Sequence, residues 1–142
     1  MEVDFVILAD GAEAVNGKVY ILGGGWSAIQ APTFPFEYRM SVAVGVSAGW
    51  NETNERHTID VKILTADNAP FMDVTHVEFE LGRPVGLKQG ESQRIMLASA
   101  CVLKTDRAED LQVVVATDGA ETGGGHRSTP FKVIAPRVGS MG

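Results

Sequence analysis

Between residues 36 and 47 apolar and polar positions alternate without a break. Phe36, Tyr38, Met40, Val42, Val44 and Val46 share one parity, and Glu37, Arg39, Ser41, Ala43, Gly45 and Ser47 share the other. A period of two sends successive side chains to opposite faces of a strand, so this stretch predicts a half-buried strand rather than a helix. Gly45 marks a bulge or bend within it. The same period recurs at 57–64, where Ile59, Val61 and Ile63 oppose Asp60 and Lys62, and at 18–22, where Val19 and Ile21 alternate with Lys18, Tyr20 and Leu22. Residues 71–80 follow it too, but the apolar parity changes between Met72/Val74 and Val77/Phe79. Either a bulge around Thr75 and His76 restores the register, or the two halves belong to different sheets.

Three further stretches, 3–9, 111–116 and 130–134, are short, apolar and rich in β-branched residues, which favour sheets. Residues 94–103 are less simple. Ile95, Leu97, Ser99 and Cys101 lie on one strand face and Met96, Ala98, Ala100 and Val102 on the other, so both faces are small or apolar. That pattern predicts a central strand, or one covered by another element. A helix is the alternative, because Met96, Ala100 and Leu103 also fall at helical spacing and alanine favours helix.

Turn chemistry separates these runs. Asn16-Gly17 and Asp118-Gly119 are strong turn pairs, residues 10–17 read as a connection, and 82–90 reads as a loop. The two prolines of 31–35 predict an extended segment without ladder bonds, and residues from about 135 onward a short flexible tail. The sum is all-β: a two-layer antiparallel β-sandwich of about eight strands, in a single domain spanning 1–142.

Composition narrows the partners. The chain has 142 residues, enough for a core without metal or disulfide staples, and its lone Cys101 has no internal partner for a disulfide. A net charge of -6 and scattered basic residues disfavour nucleic acid. No run approaches a membrane span and the start lacks a secretory pattern, so a cytoplasmic location is expected.

Candidate chemistry is sparse. Gly23-Gly24-Gly25 follows a strand but lacks the Lys-Ser/Thr of a phosphate loop, and fits better as a bend that lets Trp26 pack. Gly124 and His126, in Gly123-Gly124-Gly125-His126, sit in either a loop over a pocket or a plain connection. His57 and His76 have no compact metal spacing. Neighbouring strands could bring them together with Asp60 or Glu78 as a metal site, though isolated surface histidines explain them more simply. Glu78 and Glu80 share a strand face about 7 Å apart, a spacing open to acid-base chemistry but equally suited to a solvated face. Cys101 reads as a small buried thiol. Trp26 and Trp50 are candidate contact residues, since tryptophan is enriched at binding hot spots. The other reading is that each caps one end of the sandwich.

The segment Leu8-Ala9-Asp10, followed by Gly17-Lys18-Val19-Tyr20-Ile21-Leu22-Gly23-Gly24-Gly25-Trp26, resembles a family of small bacterial proteins of unknown function, mainly actinobacterial. A weaker echo is Thr129-Pro130-Phe131-Lys132-Val133. Where similar proteins often carry a glycine and alternating aromatics, this chain has Asp110-Leu111-Gln112-Val113-Val114-Val115. The resemblance implies a β-sandwich and brings no catalytic residues with it. The expectation is a non-enzymatic protein-interaction or assembly domain without a cofactor, with a homodimer as its first form. The alternatives are a small-ligand module, with a pocket between Trp50, the 82–90 loop and Gly123–Gly125, and a metal-dependent hydrolase.

Overall fold

The computed structural model describes residues 1–136, and nine strands account for most of them. In chain order they are β1 (Glu2–Val15), β2 (Lys18–Gly24), β3 (Ala28–Gln30), β4 (Phe36–Gly49), β5 (Glu55–Thr65), β6 (Pro70–Leu81), β7 (Ser92–Thr105), β8 (Glu109–Thr117) and β9 (His126–Ile134), with one 3-10 turn at Trp50–Glu52. Two sheets form, in the orders β2-β1-β4-β7 and β3-β9-β8-β5-β6. They pack face to face as a sandwich. The alternation of β4 places Met40, Val42, Val44 and Val46 in the shared core with Ile59, Val61 and Ile63 of β5 and Val113 and Val115 of β8, all essentially without solvent contact.

Several boundaries differ from the sequence expectation. Residues 10–17 are not a connection: β1 continues to Val15, and only Asn16 and Gly17 turn, both at positive φ (51° and 75°). Two successive positive φ values match the twist of a tight hairpin, which is why Asn-Gly works there. The ninth strand is β3, too short to show a period. It enters beside β9 in parallel, so the sandwich is not wholly antiparallel. The chain reaches it by crossing from one sheet to the other through Gly25 and Trp26. Pro130 is tolerated inside β9 because β3 pairs only with Lys132, Val133 and Ile134, leaving the stretch around Pro130 without a ladder on that side.

The bulges also move. Gly45 pairs with Phe5 and Val46 with Val3, so the extra residue is Asp4 on β1, not Gly45. On β6 the change of parity is repaired at Val74, one residue before the expected Thr75, with a second irregularity at Phe71. Residues 94–103 are strand throughout, not helix. They are not a central strand either: β7 is the outermost strand of its sheet. The expected tail begins after Ile134, and its residues 137–142 lie outside the described residues.

Candidate functional site: an open sheet edge

A two-sheet sandwich has four outside strands, and each exposes backbone donors and acceptors to pairing unless something blocks them. Here two are blunted and a third is half the length of β7. β3 has three residues, and β2 has seven, uncharged after Lys18, with Tyr20 and Leu22 exposed. β6 starts at Pro70, carries two register shifts and displays Asp73, Glu78 and Glu80. β7 has none of these devices. It pairs with β4 through all fourteen residues without a shift, contains no proline, and carries no charge from Ile95 to Leu103. Its flanking charges are already engaged inside the chain. Arg94 donates to Asp4 at 3.0 Å, and Lys104 stands 3.7 Å from Glu37.

The side chains of β7 are apolar on both faces because each face has apolar company. On the outer face three rows run across the sheet: Phe5, Gly45 and Met96; Ile7, Ala43 and Ala98; Ala9, Ser41 and Ala100. Inside, Leu97 and Cys101 touch the core from the side and stay half-exposed, while Ala100 and Val102 on the outer face are exposed. Burial pushes the Cys101 thiol pKa up, which keeps it protonated and poorly reactive at neutral pH. At the end of the edge, the start of β4 (Phe36, Glu37), the end of β7 with the turn after it (Lys104, Asp106, Arg107) and Phe71 of β6 contribute to an open hollow of about 410 Å³ with a mixed apolar and charged lining.

The residues singled out from the sequence lie elsewhere. Trp26 is wedged at the crossing between sheets, its ring edge-on to Tyr38 (6.0 Å between centroids) and Phe131 (6.2 Å), with its indole nitrogen buried and unpaired among the described residues. The hydrogen bond from the Tyr38 hydroxyl to Asp10, helped by burial and by the Asp10 charge, raises the Tyr38 pKa. Trp50 opens the 3-10 turn, and the Arg83 guanidinium lies 3.7 Å over its ring. Arg83 also donates to Thr53 at 2.8 Å, so it ties the 82–90 loop to the Trp50 turn. Gly124 accepts from the Val3 amide at 2.8 Å, and His126 begins β9 opposite Ala116. Gly124 thus fastens the β8–β9 loop to the start of β1.

His57 and His76 fall on adjacent strands, as their positions suggested, but they point to opposite faces. His57 pairs with Phe79 in register and faces inward, and its side chain is 4% exposed. Its Nδ1 is 2.9 Å from a carboxylate oxygen of Asp118, and its Nε2 is 2.6 Å from the Glu52 carbonyl. Burial alone lowers the pKa of such a ring, yet the Glu52 carbonyl and Asp118 outweigh it and hold His57 above the ordinary value. His76 pairs with Asp60 on the outer face, where hydrogen bonds to Asp60 and Glu78 raise its pKa. Among the described residues no group of three or more His, Cys, Asp or Glu is placed to hold a metal ion.

Sequence reasoning passed over two features. The partners of His57 are far from it in the chain, and Asp118 was legible only as a turn residue. The open edge had a signal, the two apolar faces of 94–103, but a strand with that signal ordinarily lies between two others. No helix of the described residues is long and apolar enough to cross a membrane. Comparison with curated proteins and with solved structures finds no match. A family model does match, from residue 4 to residue 134, and the chain belongs to that family of unknown function, DUF6941.

Proposed function

We propose that this domain works by protein interaction rather than catalysis, assembling through strand addition at β7. The observation that carries the reading is a contradiction between composition and place: β7 has the side chains of a central strand and the position of an outside one. Natural sheets protect long edges with charge, proline or bulges. A fourteen-residue edge without proline or bulge, and without charge from Ile95 to Leu103, fits a strand whose second neighbour comes from another chain. The resemblance to small bacterial proteins and the lone cysteine favour a bacterial cytoplasmic setting, and both belong to this proposal. The small-ligand reading gains less, because Arg83 already covers one face of Trp50. The metal reading is disfavoured by the opposite orientations of His57 and His76.

The test is native mass across a concentration series, for the wild type and for Ala100→Lys. Ala100 is exposed on the outer face of β7, so lysine is accommodated in the single chain while placing a charge in the edge. The expected result is a concentration-dependent oligomer for the wild type, weakened at least tenfold by Ala100→Lys. The reading is overturned if the wild type stays a single chain up to about 1 mM with β7 amides exchanging as fast as those of an exposed loop.

A further inference from the structure

We infer that the strand completing β7 is β7 of a second copy, running antiparallel about a two-fold axis through Ala100. The inference rests on the assembly reading and adds to it the partner and the register. A two-fold pairing brings the same edge to itself, and β7 is long enough and unbroken enough for that. Face matching requires inward residues to oppose inward ones, which permits registers centred on individual residues of the strand.

The charges at its ends choose among them. Centring on Ser99 sets Arg94 opposite Lys104, like against like. Centring on Ala98 sets Arg94 opposite Val102 and Gln93 opposite the buried Leu103. Centring on Cys101 sets Arg94 opposite Ala108 and Asp106 opposite Met96. Centring on Ala100 sets Leu97 opposite Leu103 and the small Ala100 against itself on the axis, and brings Arg94 level with Asp106 in the bend just past the strand. The same register lays Ile95 of the second copy opposite Thr105, on the rim of the hollow that Phe36, Phe71 and Thr105 line. Opposite charges, and an apolar side chain set at the rim of a hollow whose mixed lining includes Phe36 and Phe71, then coincide in one arrangement.

The paired stretch from Ile95 to Thr105 is about 35 Å long at ~3.3 Å per residue. One strand pair of this length is a small contact beside the ~1,200 Å² or more of stable interfaces, so the dimer dissociates on dilution.

Cysteine cross-linking reads the register directly. In the register centred on Ala100, Ser99 stands opposite Cys101 of the second copy, at the ~4.5–5.5 Å Cα separation of cross-strand pairs, within disulfide reach. Ser99→Cys, Ala98→Cys and wild type are oxidised by air with catalytic copper at mildly alkaline pH. Two thiols then give up two protons and two electrons to oxygen for each disulfide formed. Equal melting temperatures of the reduced proteins establish that each is folded.

The expected outcome is a covalent dimer from Ser99→Cys at least ten times faster than from wild type or Ala98→Cys, whose new thiol lies on the other face. A native dimer in which Ser99→Cys is no faster than its controls, or in which Ser99→Cys with Cys101→Ser cross-links as fast as Ser99→Cys alone (the mark of the register centred on residue 99), overturns the register and leaves the assembly reading standing. So does a wild-type protein that cross-links fastest through Cys101 alone, which marks the register centred on that residue. Absence of association at any concentration sinks both.

Discussion

Gly45 stands between Phe5 and Met96 on the outer face because the ring of Phe5 lies across its backbone. A Cβ built there would come within 2.1 Å of the Phe5 ring, far inside any tolerable contact. The backbone of Gly45 is not at positive φ, so the requirement is space and not conformational freedom. Gly45→Ala is therefore expected to destabilise the fold by about 1–3 kcal/mol, the usual cost of overpacking. Phe5→Leu in the same chain should restore part of that loss. Urea denaturation of the two single variants and the double variant checks it, and strict additivity would dismiss the contact as the cause. From the sequence Gly45 was recognisable as an exception in a strand, but its reason was not. Phe5 is forty residues away and meets Gly45 only because Asp4 bulges out of β1 and shifts the register.

Strand existence follows from local alternation, and strand position does not. The period of two in β4 and β5 was legible because one parity carries large apolar side chains and the other polar or small ones. β4 is nevertheless not half-buried as expected, since Ser41, Ala43 and Gly45 on its outer face are buried too. β3 has three residues, too few for a period, and owes its place to the sheet-crossing at Gly25 and Trp26. β7 was assigned to the interior for a sound physical reason, since strands apolar on both faces are normally covered on both sides. The open edge reverses that inference only once pairing is known. His57 shows the same limit at the junction of elements, because it joins β5 to the 3-10 turn through Glu52 and to the β8–β9 loop through Asp118. Both ring nitrogens face acceptors, so the folded state favours the doubly protonated ring and raises its pKa over the unfolded value of about 6.5. A pKa raised on folding contributes stability that is fully present below about pH 6.5 and is lost as pH rises through the folded value. His76 has the same sign of shift, but its half-exposed side chain pairs with Asp60 and Glu78 in water, where the contribution is screened. The unfolding free energy should thus fall from pH 6 to pH 9, and His57→Gln should flatten most of that slope while His76→Gln flattens little. A slope unchanged in His57→Gln would show that the ring is not held as the imidazolium.

At the scale of the whole molecule, the -6 charge and the apolar edge act in opposite directions. Each copy repels the next at long range, whereas at the edge Arg94 and Lys104 are paired with Asp4 and Glu37 and leave little net charge. Self-pairing at β7 is therefore compatible with an acidic chain, because only the last few ångströms depend on the edge. If two folded copies associate and unfolded chains do not, folding is drawn forward by mass action. Well above the dissociation constant, each tenfold rise in protein concentration then stabilises a chain by about 0.7 kcal/mol, half of the 1.4 kcal/mol that a tenfold change is worth to the pair. For a chain of this length, that corresponds to roughly 2 °C in Tm per tenfold step. The wild type should show this drift across a dilution series. Ala100→Lys should melt at one temperature throughout, because a lysine on the two-fold axis meets its own copy in the other subunit. A wild-type Tm independent of concentration, in a protein whose native mass shows a dimer, would place the pairing surface outside the cooperative fold and away from β7.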